Sequence, residues 1–206
     1  MNAVSLGVLS LQGASAPHLA AFARCGVVAR EVRSPDELAG LTHLVLPGGE
    51  STTLHHLLTL FGLWETLRAR QRAGALALFG TCAGAILLAR DAGGKPPTLG
   101  LLDASVERNA YGRQIDSFTG TLELTGDEAA PARPFQGTFI RAPRFKDLGP
   151  DVRVLARLDG EPVALEAPGL LATSFHPELG DDPWFHARFA ALPLGSGSLP
   201  ALASPR

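Results

Sequence analysis

The sequence predicts an α/β fold with three layers, in which a mostly parallel central sheet has helices on both faces. Short apolar runs alternate with amphipathic segments over residues 1–90, which is the order of βαβ units in a parallel sheet. Turns that contain glycine follow several of these runs. Beyond residue 97 the segments become shorter and alternate in polarity, which indicates a smaller region of antiparallel strands.

The N-terminal part of the chain predicts the first strands and the first helix. Residues 4–11 form an apolar run that indicates a strand. A helical pattern follows and stops at Gly26. Apolar runs that begin at Val27 and at His43 predict the next two strands.

A long helix, a strand and a short helix are expected next. Residues 51–74 carry helical periodicity, and Ser51 or Thr52 is the expected N-cap. Residues 75–80 predict a short buried strand, and residues 83–90 predict a helix that packs against it.

The second half of the chain ends with a hairpin, a strand and a helix. Asp159 and Gly160 lie between two alternating runs and predict a β-hairpin. Residues 169–175 predict another buried strand, and the last helix is expected to begin near Asp181 or Asp182.

Length and composition indicate one folded domain. The chain has 206 residues and a mass of 21.5 kDa, which is enough for a single α/β core. Its hydrophobic content of 46% and charged content of 18% exclude extensive disorder. We expect the domain to cover residues 1–192 and the Pro-, Ser- and Gly-rich residues 193–206 to form a flexible tail.

Charge and cysteine content limit the partners and the compartment. Because 18 basic residues balance 20 acidic ones and no stretch is densely basic, we do not expect nucleic acid to bind. Two cysteines cannot form a disulfide framework, which favours the reducing cytoplasm. They also lack the spacing of a zinc finger, and no metal or cofactor is expected. Neither a membrane helix nor a signal peptide is expected, since no apolar run approaches the necessary ~20 residues and no basic residue precedes Arg24.

One turn after a predicted strand has the form of a nucleophile elbow. Ligands of open parallel sheets bind where the strands end, and residues 80–84 have the pattern G-x-C-x-G at such an end. The glycines permit a tight turn that exposes Cys82 to the cleft, and the helix that follows favours the thiolate. Packing is the alternative role for a buried cysteine; we accept it for Cys25 but not for Cys82.

A histidine and a carboxylate can complete a catalytic triad with this cysteine. His176 follows a predicted buried strand and Glu178 lies two residues further on. A thiolate, a general base and an orienting carboxylate are the groups that nucleophilic catalysis needs. The residues alone leave open that Glu178 is a solvated charge. We interpret the other histidines as ordinary surface or core residues; they are His18, His43, His55, His56 and His186.

A third turn, at residues 47–51, contains two glycines. Its backbone N–H groups can approach a ligand, and one of them could stabilise an oxyanion together with the N–H of Ala83. An ordinary helix N-cap is the alternative, and both interpretations can hold together.

These three turns resemble those of class I (triad) glutamine amidotransferases, whose fold is flavodoxin-like. The segments LPGGESTT, FGTCAGAILLA, VERNAYGRQIDSF, GTFIRAPR and SFHPEL make the chain similar to the PdxT/SNO family, the glutaminase subunits of pyridoxal 5'-phosphate synthase. The resemblance runs from Gly7 to Phe189. Its specific parts are VERNAYGRQIDSF and FIRAP, because the elbow and the HPE segment identify only the superfamily.

The resemblance implies roles for further residues. It makes Cys82 the nucleophile, His176 the base and Glu178 its orienting partner, and it places Gln12 near the oxyanion hole. Backbone groups of Gly49 and Ala83 would form that hole. The implied glutamine-binding residues are Gly48, Gly49, Glu50, Arg108, Ile140 and Arg141. Such groups suit the α-carboxylate and α-ammonium of glutamine.

The resemblance also implies a reaction and a partner. L-Glutamine would be hydrolysed to L-glutamate and ammonia, and the ammonia would pass to a separate synthase subunit in a hetero-oligomeric complex. A glutaminase that serves a different synthetase and a non-catalytic regulatory subunit of the same fold are the alternatives. Before His18 the family usually has a charged residue, whereas this chain has residues 15–17 as Ser-Ala-Pro, on the surface expected to face the synthase.

Overall fold

In the computed structural model of the chain, the described residues are 4–12, 14–94, 96–108, 110, 117–125 and 134–195. Part of the segment VERNAYGRQIDSF lies outside them, at positions 109 and 111–116. Most of the expected tail, from position 196 onwards, also lies outside the described residues.

Twelve strands and five α-helices lie within the described residues. The strands are β1 (Leu6–Leu9), β2 (Ala29–Val32), β3 (His43–Leu46), β4 (Ala77–Thr81), β5 (Ala89–Asp91), β6 (Leu102–Glu107), β7 (Phe118–Leu124), β8 (Phe135–Phe139), β9 (Arg144–Lys146), β10 (Arg153–Leu158), β11 (Glu161–Ala167) and β12 (Leu170–Thr173). The helices are α1 (Ser15–Arg24), α2 (Ser51–Leu60), α3 (Leu63–Arg72), α4 (Ala83–Leu88) and α5 (Trp184–Ala190). Two short 3₁₀ helices cover Asp36–Leu38 and Pro177–Leu179.

One sheet of nine strands forms the centre of the molecule, in the order β2-β1-β3-β4-β12-β11-β10-β7-β8. The pairs from β2 to β12 are parallel, and the pairs from β12 to β8 are antiparallel. The expected antiparallel strands therefore extend the parallel sheet along one edge. A smaller sheet contains β5, β6 and β9.

Both faces of the parallel strands are buried, as three layers require. In β4, Leu78 belongs to an apolar cluster that includes side chains of α2, α3 and α4. Its neighbour Phe79 belongs to a second cluster, which contains Phe22 of α1 and Phe185 and Phe189 of α5. Because successive side chains of a strand point to opposite faces, each helix layer receives every second residue. The predicted α/β fold with helices on both faces is confirmed.

The hairpin predicted at Asp159 and Gly160 joins β10 to β11. Both residues have positive φ angles, of 50° and 81°. Positive φ at the two central positions is the geometry of a type I′ turn, whose twist matches that of the strands.

The single helix expected over residues 51–74 is wrong, because the chain forms α2 and α3 there. Gly62 separates them with a φ of 68°, a left-handed conformation that interrupts the helical ladder. The expected N-cap is also wrong. Glu50 occupies that position, and its carboxylate accepts hydrogen bonds from the backbone N–H groups of Thr52 and Thr53.

Among the helices of the described residues, none is long and apolar enough to cross a membrane. No group of three or more His, Cys, Asp or Glu side chains in the same part of the chain is arranged to hold a metal ion.

Candidate active site

A cleft of about 220 Å³ lies at the carboxyl edge of the parallel strands. The turns after β3, β4, β6, β8 and β12 meet there, as expected for an open α/β sheet. Its lining residues are Gly49, Glu50, Ser51, Cys82, Ile86, Arg108, Ile140, Arg141 and His176. The candidate nucleophile and the candidate base therefore share one cavity with five of the six expected glutamine-binding residues.

Cys82 lies on a strained turn between β4 and α4. Its φ of 48° and ψ of −103° are unusual for a residue with a side chain, and such backbone conformations typically cost ~1–3 kcal/mol. The flanking glycines make the turn possible. A Cβ on Gly80 would lie 2.6 Å from the backbone carbonyl carbon of Gly84, and one on Gly84 would collide with the carbonyl oxygen of Leu46.

This turn directs the thiol into the cleft. Cys82 is 6% exposed, and its Sγ lies 3.8 Å from the carbonyl oxygen of Ile140. Ala83 is the first residue of α4, so its backbone N–H has no partner within the helix and can donate to a ligand.

His176 and Glu178 form a hydrogen-bonded pair beside the cysteine. The Nδ1 atom of His176 lies 2.7 Å from Oε1 of Glu178, whose side chain is only 3% exposed. Cys82 also interacts electrostatically with His176 and raises the pKa of its imidazole. A side chain at Gly48 would collide with the His176 ring, so this glycine, which lies outside the cleft lining, gives the imidazole its space.

The side chains around His176 favour the protonated form of its imidazole. Burial alone would lower the pKa of His176, but the hydrogen bonds and charges of Cys82 and Glu178 outweigh it and raise the pKa to about 10. Burial raises the pKa of Glu178, but His18 and His176 together lower it below its ordinary value. Glu178 is therefore ionised at neutral pH and opposes a charged His176.

Gln12 lies against the turn that was expected to supply an oxyanion donor. Its Oε1 accepts the N–H of Glu50 at 3.1 Å, and its Nε2 donates to the carbonyl oxygen of the same residue at 3.1 Å. Gly49 has a φ of 144°, and a Cβ there would lie 2.6 Å from Gln12 Oε1. Glycine at position 49 thus allows both the backbone conformation and the close approach of Gln12.

One acidic and two basic residues also line the cleft: Glu50, Arg108 and Arg141. Glu50 Oε1 lies 3.8 Å from Nη2 of Arg108. Burial raises the pKa of Glu50, but the hydrogen bonds that it accepts from Thr52 and Thr53 lower it overall, so Glu50 is ionised. Arg141 also lines the cleft and has a positive φ of 47°. The cleft can therefore oppose both charged groups of an amino acid.

Two lining residues were not expected to bind the substrate: the sequence predicts Ser51 as a helix cap within the third turn and Ile86 as part of a helix. Sequence reasoning also interprets His18 as an ordinary residue. In the structure, His18 is completely buried and its Nε2 lies 3.6 Å from Oε2 of Glu178. No spacing signal could have found this contact, since about 160 residues separate the two positions.

Cys25 lies at the C-terminal end of α1 and is not among the residues that line the cleft. Its Sγ lies 3.4 Å from the carbonyl oxygen of Ala21 and 3.5 Å from that of Pro183. Burial raises the pKa of the Cys25 thiol, which disfavours the reactive thiolate.

Comparison with known proteins finds relatives that all point to one family. The model of the SNO glutamine amidotransferase family matches residues 8–191. The chain is 52% identical over 189 residues to a pyridoxal 5'-phosphate synthase subunit PdxT of Thermus thermophilus, covering 91% of this chain and 96% of the relative. The PdxT of Deinococcus radiodurans is 49% identical over 195 residues, covering 92% and 97%.

Solved structures agree with the fold. A crystal structure described as a glutamine amidotransferase superposes with a TM-score of 0.83 at 48% identity, covering 91% of this chain and 99% of that chain. The structure of PurLQS from Thermotoga maritima has a TM-score of 0.70 at 16% identity, covering 92% and 97%, and supports the fold alone. Since the family model spans most of the chain and the relatives share about half of its residues, the chain belongs to the SNO glutamine amidotransferase family.

Proposed function

We propose that this chain hydrolyses L-glutamine to L-glutamate and ammonia and delivers the ammonia to a synthase subunit that makes pyridoxal 5'-phosphate. One observation carries the proposal: a strained cysteine, a histidine hydrogen-bonded to a buried carboxylate, and side chains of both charges line a single cleft. The PdxT relatives, which cover almost the whole chain, support the identity of the synthase partner.

The reaction begins with the Cys82 thiolate, which attacks the side-chain amide carbon of glutamine. The resulting oxyanion accepts hydrogen bonds from backbone N–H groups, for which Gly49 and Ala83 are the proposed donors. His176 is protonated at neutral pH because its pKa is about 10, so it can give its proton to the departing ammonia. The product of this step is a glutamyl thioester on Cys82.

Water completes the cycle by hydrolysing the thioester. His176, now neutral, removes a proton from the water, and Glu178 stabilises the imidazolium that forms again. Collapse of the second tetrahedral intermediate releases glutamate and regenerates the thiolate. We further propose that Arg108 or Arg141 binds the α-carboxylate of glutamine and that Glu50 binds its α-ammonium.

The test measures ammonia release from glutamine by the purified chain, with and without the pyridoxal 5'-phosphate synthase subunit. We expect release in the complex and its loss in Cys82→Ala, whereas pyridoxal 5'-phosphate synthesis from added ammonium stays intact. Cys25→Ala is the matched control, because that thiol lies outside the cleft lining, and it should keep full activity. Loss of ammonium-dependent synthesis in Cys82→Ala, or glutamine-dependent synthesis that survives it, would contradict the proposal.

A further inference from the structure

The carboxylate of Glu178 has one oxygen for which the catalytic triad provides no partner. Oε1 is held by His176, but Oε2 is buried and has no hydrogen-bond partner among the described residues. A buried carboxylate oxygen without a donor is costly, because it has lost its hydration. The polar atom that faces it is Nε2 of His18, at 3.6 Å.

His18 lies between the triad and the helix layer beneath it. The residue belongs to α1 and its ring is completely buried. Its Nε2 also lies 3.3 Å from Oγ1 of Thr81, the residue before Cys82. Its Nδ1 lies 2.9 Å from Nε2 of His186 on α5. The ring is therefore held from both sides, with one nitrogen towards the active site and the other towards the core.

Both rings of this histidine pair are neutral at physiological pH. Burial lowers the pKa of His18, against the raising effect of Glu178. Burial also lowers the pKa of His186, to about 3, with a further lowering by His18. The other charged groups that act on the pair are His176 on His18, and Glu178 and Arg24 on His186. His18 must therefore act on Glu178 through an N–H group and not through a full charge.

The tautomers follow from what each nitrogen faces. A His18 ring with its lone pair on Nε2 would direct that lone pair at the carboxylate of Glu178, which is repulsive. It would also place the proton of His186 on Nδ1, a buried atom that has no partner among the described residues. The opposite arrangement is the less costly one. His186 donates its Nε2–H to Nδ1 of His18, and His18 carries its proton on Nε2, which faces both Oε2 of Glu178 and Oγ1 of Thr81. The buried Nδ1 of His186 then carries a lone pair and not an unpaired N–H.

We propose that His18 is a positioning residue of the glutaminase site. Its Nε2–H, oriented by His186, keeps the carboxylate of Glu178 ionised and aligned with His176. This inference rests on the proposed function. The distance of 3.6 Å is longer than a hydrogen bond, and a shortening by about 0.5 Å would form one. Catalytic hydrogen bonds often tighten in this way when the substrate binds.

Two amide variants distinguish the roles of the two ring nitrogens of His18. The amide of His18→Gln extends far enough for its nitrogen to replace Nε2 and donate towards Glu178. The shorter amide of His18→Asn replaces Nδ1 and reaches only towards His186. We expect the complex with the synthase subunit to keep nearly wild-type kcat in His18→Gln, and to lose roughly 10–100-fold in His18→Asn with little change in KM, a loss typical of outer-shell partners.

His43→Asn is the matched control for removing a buried histidine. His43 is 3% exposed, and its ring lies 2.8 Å from Oγ1 of Thr42 and 2.9 Å from the carbonyl oxygen of Leu192, outside the cleft lining. It should keep the wild-type kcat. Thermal unfolding of all three variants shows whether a loss of activity only reflects a loss of folded protein.

The pH dependence of cysteine alkylation provides a readout that does not need glutamine. In a Cys25→Ala background, iodoacetamide modification of Cys82 is followed by the mass of the chain. In His18→Asn we expect the alkylation profile to move to higher pH. Without the N–H of His18, the carboxylate of Glu178 is less well aligned and stabilises the His176 imidazolium less. Since this imidazolium in turn stabilises the Cys82 thiolate, the thiolate then forms less readily. His18→Gln should keep the wild-type profile.

The outcomes distinguish the two proposals. Equal kcat and equal alkylation profiles for His18→Gln and His18→Asn would overturn the role of His18, whether both variants stay active or both lose activity. If the wild-type complex releases no ammonia from glutamine, the proposed function fails. The alkylation profiles then still decide whether His18 acts on the Cys82–His176 pair.

Discussion

Two residues with side chains in the candidate site have positive φ angles, Cys82 at 48° and Arg141 at 47°. Each conformation costs energy that the surrounding packing must offset, and strain of this kind is concentrated at functional sites. At Cys82 the strain points the thiol into the cleft. At Arg141 it accompanies a guanidinium that lines the same cleft, next to the Ile140 carbonyl oxygen that the thiol contacts.

The charge of Glu178 is expected to matter as much as its position. Glu178→Gln keeps the size of the side chain but removes the charge that stabilises the His176 imidazolium. We expect kcat for ammonia release to fall by roughly 10²–10⁴-fold, the scale seen when the acid of a triad becomes an amide. Glu161→Gln, a change in a partly exposed residue paired with Arg144, is the control and should be active. A Glu178→Gln variant with wild-type kcat would exclude Glu178 from the triad.

Arg108 is expected to affect substrate binding and not the reactivity of the thiol. Arg108→Met removes a guanidinium that lines the cleft beside Glu50. Because a hydrogen bond to a charged group contributes about 1.5–3 kcal/mol, KM for glutamine should rise about 10- to 100-fold. Alkylation of Cys82 by iodoacetamide, which has no α-carboxylate, should keep its rate. An unchanged KM would show that Arg108 does not bind the substrate.

At the scale of elements, helix α4 sets the position of the candidate nucleophile, Cys82. The helix has only six residues and all of them are buried, so its packing and not its length stabilises it. Gly84 lets the first turn of α4 contact the carbonyl oxygen of Leu46 at the end of β3. Because β3 and β4 pair in parallel, with Leu46 opposite Gly80, the turns that follow them are neighbours, and Gly49 and Cys82 line one cavity.

Gly84→Ala is expected to destabilise this packing. Its Cβ would overlap a backbone carbonyl that cannot rotate away, and overpacking of this kind costs ~1–3 kcal/mol. The free energy of unfolding, measured in urea, should fall by that amount, and ammonia release should fall with it. Gly180→Ala is the control, since its Cβ would lie no closer than 3.7 Å to the neighbouring atoms, and its φ is −90°. Equal stability of both variants would contradict the packing argument.

At the scale of the whole molecule, three buried histidines connect separate parts of the core. His18 joins α1 to α5 through His186, and His43 joins β3 to the chain after α5 through the carbonyl oxygen of Leu192. Burial lowers the pKa of all three, of His186 to about 3, so the native protein keeps them neutral. In the unfolded chain the same histidines are not buried and can bind protons.

This difference predicts a loss of stability in mild acid. Below the ordinary histidine pKa of about 6.5 the unfolded chain binds protons that the native chain does not, so the free energy of unfolding falls as the pH decreases. For His186 this loss continues until the pH reaches its native pKa of about 3. The slope can reach about 1.4 kcal/mol per pH unit for each histidine. Urea unfolding between pH 7 and pH 4.5 measures it.

A variant without one of these groups should show a smaller slope. His186→Phe keeps an aromatic ring among Phe22 and Phe79 but cannot titrate. Its free energy of unfolding should therefore depend less on pH than that of the wild type. The exposed His56 provides the control variant His56→Gln, which should retain the wild-type slope. An unchanged slope in His186→Phe would show that His186 is not kept neutral by burial.

Local patterns were sufficient to predict most of the fold. Apolar runs separated by glycine turns predicted the parallel strands, and Asp159 with Gly160 predicted the hairpin, because both signals depend on neighbouring residues. The break at Gly62 was missed, since one glycine within a helical pattern is often tolerated and only the packed structure decides whether the chain turns there. The capping role of Glu50 was missed because Ser51 and Thr52 are the more usual cap residues.

By itself, the sequence determined the fold class, the elbow at Cys82 and the choice of His176 and Glu178 as its candidate partners, since each lies in a local pattern at the end of a strand. Only the tertiary structure decided what surrounds them. It placed His18 beside Glu178 and Gln12 against the turn at Glu50, and it left Cys25 outside the cleft lining. These contacts join positions far apart in the chain, so they depend on how the sheet and its helix layers pack together.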